Sequence, residues 1–318
     1  MPDQIHVPLR RVHKYWPLYA IMLPTFLGIA VFSYYPSLDA VWHSLYRWDG
    51  SFTEEYRGLQ NFKEIFTSDP LFWHSFKIIG ILVFANVIKM WPSIFAAVVV
   101  HRLRSERWQY LYRVIFVVPM IIPGIVRLLI WKSFYDPTVG ILNRFLQETG
   151  LMSILQWLDV NWWHIRAFET GQPAWLGHQH LVLPAIIFWG FPWVGTFGVL
   201  IYLAGLQNIS QDVYEAAELD GVNWWSKFWK IELPLIMTMV RINLILMTIG
   251  TFMDYGFFLI LLGPSGGPNN AGLVPGLYMF STAFFSQRYG YACALGMIMF
   301  VIVLTITIFY QKFVRVEK

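Results

Sequence analysis

Charge is scarce in this chain and cysteine almost missing. Only 13% of its 318 residues are Asp, Glu, Lys or Arg, against roughly 25% in soluble proteins. The single cysteine, Cys293, excludes a disulfide framework and a Cys-built zinc site. There is no G-x-x-x-x-G-K-[ST] run to cradle nucleotide phosphates, so this chain is not itself an ATPase. The net charge is +4, yet the basic residues form no run suited to nucleic acid. No Ser/His/Asp or Cys/His constellation appears. His178 and His180 stand two apart, too few for a structural metal site that wants four ligands, and no metal is expected. What the sequence has is lipid chemistry: 57% hydrophobic residues, 16 Trp, 16 Tyr and 26 Phe. It reads as an integral membrane protein.

A membrane-spanning helix needs about 20 mostly apolar residues. Six stretches qualify: Trp16 to Tyr35, Leu71 to Val100, Leu111 to Phe134, Leu181 to Ala204, Leu235 to Leu262 and Tyr291 to Phe313. The expected fold is an all-α polytopic membrane protein with one permease domain over 16–314, flanked by short tails at 1–15 and 315–318. Basic residues set the orientation. Twelve fall on one side (Arg10, Arg11 and Lys14; Arg102, Arg104, Arg107 and Arg113; Lys227 and Lys230; Lys312, Arg315 and Lys318). Six fall on the other: Arg47, Arg57, Lys63, Arg144, Arg166 and Arg288. Both termini are therefore expected in the cytoplasm. No small-residue cleavage site follows the first apolar stretch, which reads as an uncleaved anchor. The outward loops 39–70 and 135–180 are acidic and aromatic, with Trp157, Trp162, Trp163 and Trp175 favouring short interfacial helices. Gly263 to Asn270 is a cluster of breakers marking the last outward loop.

The inward loop at 205–234 is long for such a connection. Ser210 suits a helix N-cap, with Asp212 and Glu215 in the first turns at the positive helix end. That helix would stop at Gly221, which takes the left-handed C′ conformation. Asn223 would cap a second helix with Trp224, Trp225, Phe228 and Trp229 on one apolar face, until Pro234 breaks it. The loop is either an interfacial anchor or a docking device. For docking, Ala216 and Ala217 give a small face, and Glu215, Glu218 and Asp220 give charge.

Glu215-Ala216-Ala217, Gly221, Ile231 and Leu233-Pro234, at these spacings, resemble the signature loop of ABC importer permeases. Trp48-Asp49-Gly50, Gly58-Leu59-Gln60-Asn61-Phe62 and the run from Phe134 to Asn143 are similar to the carbohydrate branch of that family. So are Gly266-Gly267-Pro268 and Tyr289-Gly290-Tyr291-Ala292. The resemblance implies a type I importer of the maltose or glycerol-3-phosphate kind, in a bacterial or archaeal plasma membrane, with six transmembrane helices. Two permeases, here expected to differ, would form the path, and an extracytoplasmic solute-binding protein would deliver cargo. Separate ATPase subunits would hold ATP and Mg, with no cofactor in this chain. Glu215, Ala216, Ala217, Asp220, Gly221, Ile231, Leu233 and Pro234 would couple to the ATPase.

Ionisable residues inside spans are costly and call for a function or a partner. Lys89, Arg127, Arg241 and Asp254 stand where the family carries apolar residues, and Pro92 interrupts the second span. Lys89 and Arg127 could line a path for an anionic sugar or a glycerol phosphate. Alternatively, Arg127 and Arg241 snorkel while Lys89 pairs with Asp254 or faces the partner subunit. Trp189, Trp193, Asn243, Thr248, Asp254 and Tyr255 are further pathway candidates, since sugars are held by stacked aromatics and side-chain hydrogen bonds; many of these side chains would equally serve packing. Three rivals remain: an ion-coupled secondary transporter, which would want inverted repeats, a membrane-embedded enzyme, and a peptide or amino-acid permease.

Overall fold

The computed structural model describes residues 15–51 and 54–313. The expected tails, apart from Tyr15, lie outside them, and with them Arg10, Arg11, Lys14, Arg315 and Lys318. The first described helix is α1 (Trp16–His43), which runs through a π-helical turn at Ala30–Tyr34. No side chain of its first part, Trp16–Ile29, is buried. A helix apolar all round and unburied within its own chain is suited to lipid or to another subunit. A small hairpin of β1 (Tyr46–Arg47) and β2 (Glu55–Tyr56) follows, with Tyr46 opposite Tyr56, then the short α2 (Gln60–Thr67).

The longest described helix is α3 (Pro70–His101), of 32 residues. It starts where it does because the Asp69 carboxylate accepts the backbone N–H of Leu71 (3.0 Å) and Phe72 (3.2 Å). Pro70 fills the first turn, where its missing N–H costs nothing. Pro92 lies inside α3 and leaves it continuous, so the interruption expected there does not occur.

The remaining apolar stretches are broken, and the breaks have local causes. The expected third span is α4 (Glu106–Ile121) and α5 (Gly124–Phe134), meeting at 87°. Ile122 precedes Pro123 and is pushed out of the helical region, to ψ 122. Two short helices come next, α6 (Ile141–Glu148) and α7 (Leu151–Leu158). The expected fourth span divides into α8 (Val182–Phe188) and α9 (Thr196–Gln207). Between them Gly190 and Trp193 adopt positive φ, which no helix accommodates. Then α10 (Gln211–Leu219) and α11 (Trp224–Leu235) form the inward loop. The fifth stretch is α12 (Met237–Met253) and α13 (Tyr255–Leu262), divided at Asp254, whose carboxylate caps α13 by accepting Phe257 N–H at 3.1 Å. The last helices are α14 (Pro275–Phe284) and α15 (Tyr289–Phe313). By length and composition α1, α3 and Tyr289–Lys312 of α15 can each cross a membrane, and five crossings result if each of two bent pairs counts as one.

Packing radiates from α3, which lies against α8, α9, α12 and α14. Its first half gives Ile78, Ile79 and Leu82 to one buried cluster, completed by Phe252, Phe258 and Leu277. Its second half gives Met90, Ile94 and Val98 to a second, with Val199, Tyr202 and Phe228. Lipid tails are as apolar as these side chains, so their close fit and the polar contacts between helices hold the bundle. Carboxylates are met at the two ends of α3, and midway Asn86 and Ser93 make neutral contacts, to Thr251 and to the backbone of Trp193 and Gly195. At the N-terminal end the Asp69 carboxylate also accepts the hydroxyls of Tyr278 (2.5 Å) and Tyr291 (2.6 Å).

Candidate functional site

The inward loop is a pair of short helices closed by backbone chemistry. Helix α10 ends in a left-handed turn at Gly221, φ +67. Gly221 N–H donates to the carbonyl of Glu218 (3.1 Å) and Val222 N–H to that of Ala217 (3.0 Å). This is the double bond of a Schellman motif, which satisfies carbonyls the helix end would otherwise leave open. Asn223 caps α11 by accepting Ser226 N–H at 2.8 Å. At the other end of α10, Ser210 sits in the extended N-cap geometry, but its side chain makes no capping bond. Pro234 lies within α11, and the chain breaks two residues later, at Ile236, where α11 and α12 diverge by 66°. A π-helical turn at Phe228–Glu232 precedes the proline. Pro234 cannot donate to a carbonyl four residues back, and its ring crowds that carbonyl, which favours the wider turn.

The signature residues divide by exposure. Glu215, Ala216, Glu218 and Asp220 face outward, and Leu219 is 89% exposed. Ala217 turns inward at 4% exposure, so the close approach it permits is to its own chain. Leu233 is buried, Ile231 half-buried and Pro234 exposed. The four aromatics of α11 do not share one buried face. Phe228 is fully buried, while Trp224, Trp225 and Trp229 remain 42–58% exposed.

Sequence reasoning passed over the side chains that hold this loop to the bundle. Arg102, one residue past α3, donates from Nε to Glu232 Oε1 (2.8 Å) and from Nη2 to Oε2 (2.6 Å). Glu232 is fully buried. Charge-assisted, two-pronged bonds of this kind are the strong ones, and removing one partner of a buried pair costs about 3–5 kcal/mol. Tyr214 of α10 shares a 3.1 Å hydrogen bond with His101 Nε2. Burial, and then the nearby Glu232 carboxylate, push the Tyr214 hydroxyl well above its ordinary value, so it stays protonated. Lys227 joins the two short helices by donating to Glu218 at 3.2 Å. One signal was available in the sequence: Glu232 is an acid between the apolar Ile231 and Leu233, a place that asks for a partner.

A second constellation lies midway along α3. Lys89, Trp189 and Asp254 line one cavity of about 300 Å³, together with Asn86, Thr251 and Phe257. Lys89 Nζ donates to the carbonyl of Ile186 at 3.3 Å, and no salt bridge joins it to Asp254. Asn86 donates to Thr251 Oγ1 at 3.0 Å, and Trp189 meets Phe257 edge to face with ring centroids 4.7 Å apart. The cavity thus offers a cation, a carboxylate, an amide and an indole.

The other candidates lie elsewhere. Asn243 donates to the hydroxyl of Tyr202 at 2.5 Å, and the buried Thr248 donates to the carbonyl of Leu244. Tyr255 stacks on Phe280 at 4.4 Å. Trp193 borders a separate apolar cavity of about 640 Å³ with Tyr135 and Trp175. Arg127 is exposed in the first turn of α5 and is not among the residues lining the Lys89 cavity. Among the described residues no group of three or more His, Cys, Asp or Glu is placed to hold a metal ion.

Comparison with known proteins gives these features a context. Residues 89–316 match the family described as binding-protein-dependent transport system inner membrane component. The chain is 31% identical over 296 residues to the probable ABC transporter permease protein YesP of Bacillus subtilis strain 168, covering 92% of this chain and 89% of that protein. It is 29% identical over 303 residues to the trehalose/maltose transport system permease protein MalF of Thermococcus litoralis, covering 94% of each. A chain of a bacterial ABC transporter involved in the import of the acidic polysaccharide alginate shares the fold. The TM-score is 0.77 at 21% identity, over 96% of this chain and 98% of that one.

Proposed function

The chain belongs to the family of binding-protein-dependent transport system inner membrane components, and on that premise we propose that it forms half of the translocation path of an ATP-driven sugar importer. It is a multi-pass membrane permease subunit. In the proposed topology it crosses six times, α8 with α9 making the fourth crossing and α12 with α13 the fifth. Both termini and the loop at 205–234 lie in the cytoplasm. Partner ATPase subunits, which hold ATP and Mg, grip α10. A second permease completes the path, and an extracytoplasmic binding protein supplies the solute.

The observation that carries this reading is the build of the inward loop. A closed two-turn helix presents Glu215, Ala216, Leu219 and Asp220 outward, while its root is tied into the bundle through buried charge. A lever needs both a grip and a stiff root. An interfacial anchor would need neither. The cargo class follows the relatives, whose names specify trehalose and maltose in one case and acidic alginate in another. Tagged purification from native membranes in mild detergent tests the assembly. A co-purifying ATPase with a phosphate-binding loop, plus a second permease, is the expected result. A chain that purifies alone from cells where it functions would contradict it and favour ion-coupled transport.

One observation favours a narrower cargo, an anionic sugar or glycerol phosphate. Lys89 reaches the mid-span cavity with a single backbone carbonyl as its hydrogen-bond partner. Replacing Lys89 with Met should then abolish uptake of an acidic solute and spare a neutral one. Equal loss of both would set that reading aside.

A further inference from the structure

We propose that Arg102 and Glu232 are the positioning pair that makes α3, rather than the adjoining α12, receive the stroke of the inward loop. The inference rests on the importer reading and adds the route by which motion travels. Arg102 grips both ends of α11. Its guanidinium bonds Glu232 near the end of that helix and donates to the carbonyl of Trp224 at its start (3.3 Å), lying 4.3 Å above the Trp224 ring. The neighbouring His101 holds Tyr214 of α10. About two and three turns further up α3, Phe95 stacks on Phe228 at 5.0 Å and Trp91 meets Trp229 at 5.5 Å. Loop and helix are therefore joined at several heights, with the ionic contacts shielded from water. The covalent route onward is weaker in this respect, because α11 meets α12 through a non-helical residue, Ile236, and a 66° bend.

The route leads to the cavity. Lys89 lies thirteen residues from Arg102, which caps the same helix, roughly 20 Å at 1.5 Å per residue. Pro92 between them donates no backbone hydrogen bond, yet the helix stays continuous through its other bonds, so displacement at Arg102 reaches Lys89 and Asn86. Discrete repacking of a packed element of this kind is how small shifts at one site become changes at another.

The test uses the assembled complex of this chain with its co-purifying ATPase and permease, reconstituted in liposomes, with uptake and ATP hydrolysis measured together. In Glu232→Gln the shape and an acceptor remain while the charge is lost. The expected result is normal co-purification and hydrolysis, with uptake per ATP lower by about ten-fold, within the 5–150-fold range of site-to-site coupling. Tyr214→Phe, which removes a single hydroxyl, should lower the same ratio less. Exchanging the charges, Arg102→Glu with Glu232→Arg, should recover part of it. An unchanged ratio in Glu232→Gln and Tyr214→Phe would overturn the proposal. So would a parallel fall in co-purification, hydrolysis and uptake, which marks a pair that merely holds the fold. Absence of any ATPase from the unmutated sample would instead overturn the importer reading itself.

Discussion

The two ends of α3 and its middle are built on opposite plans. At the outer end Asp69 accepts two backbone N–H groups and two tyrosine hydroxyls. At the inner end Arg102 meets Glu232 and Trp224 with four bonds. Midway, Lys89 has one long bond to a carbonyl beside a cavity. Saturated ionic contacts fix a helix end to its neighbours, and each partner lost leaves a charge unmet. A lightly held cation next to open space can change partners at little cost. On the proposed function, α3 is anchored where it would carry force and left adjustable where cargo would pass.

Damage to the loop that the inner anchor holds should cost most. Gly221→Val puts a β-branched residue at φ +67, where the backbone strain is about 1–2 kcal/mol. An added Cβ meets open space there, so the strain is purely conformational and insertion in the membrane is unaffected. Uptake should fall at least about ten-fold with normal membrane levels on immunoblot; normal uptake would break the comparison at its inner end.

The outer anchor comes next. Asp69→Ala removes a helix cap worth about 1 kcal/mol and hydrogen bonds to a charged group worth about 1.5–3 kcal/mol. Thermal inactivation in detergent should shift to lower temperature, and Asp69→Asn, which keeps an acceptor, should shift it less. Equal behaviour of the two variants would mean that charge is irrelevant at that end.

The smallest effect is expected at Arg127, which is exposed in α5 and outside the Lys89 cavity. Arg127→Leu should leave uptake within about two-fold, since surface substitutions are usually within about 0.5 kcal/mol. A large, cargo-dependent loss would give Arg127 the role assigned to Lys89 and sharpen the comparison in an unforeseen way.

Much of this architecture could be read from the sequence because it is encoded within a few residues. The caps at Gly221 and Asn223 and the unbroken helices α1, α3 and α15 are local matters of turn chemistry and apolar length. Hydropathy averages over a window, and so it ran through Pro123, Gly190 and Asp254, each of which divides a stretch that had read as one span. Ser210 had the right type and backbone for a cap, yet its hydroxyl is not used. The contacts that tie the loop down join residues more than a hundred positions apart: Arg102 with Glu232, and His101 with Tyr214. Short-range pattern cannot pair such residues. The same limit applied to the pathway candidates, of which Lys89, Trp189 and Asp254 meet at one cavity while Asn243, Thr248 and Tyr255 are engaged with other partners.

The central claim, that the inward loop and α3 move as one body, is open to a distance measurement. With the single native cysteine removed as Cys293→Ser, spin labels can be placed in the reconstituted complex at Lys230→Cys on the loop. The second label goes either at Val99→Cys on α3 or at Leu246→Cys on α12, both exposed positions. Between the nucleotide-free and nucleotide-trapped states, the account predicts an unchanged loop-to-α3 distance and a loop-to-α12 distance altered by a few ångströms, the scale of helix shifts, about 1–5 Å. A loop that keeps its distance to α12 and moves against α3 would contradict it.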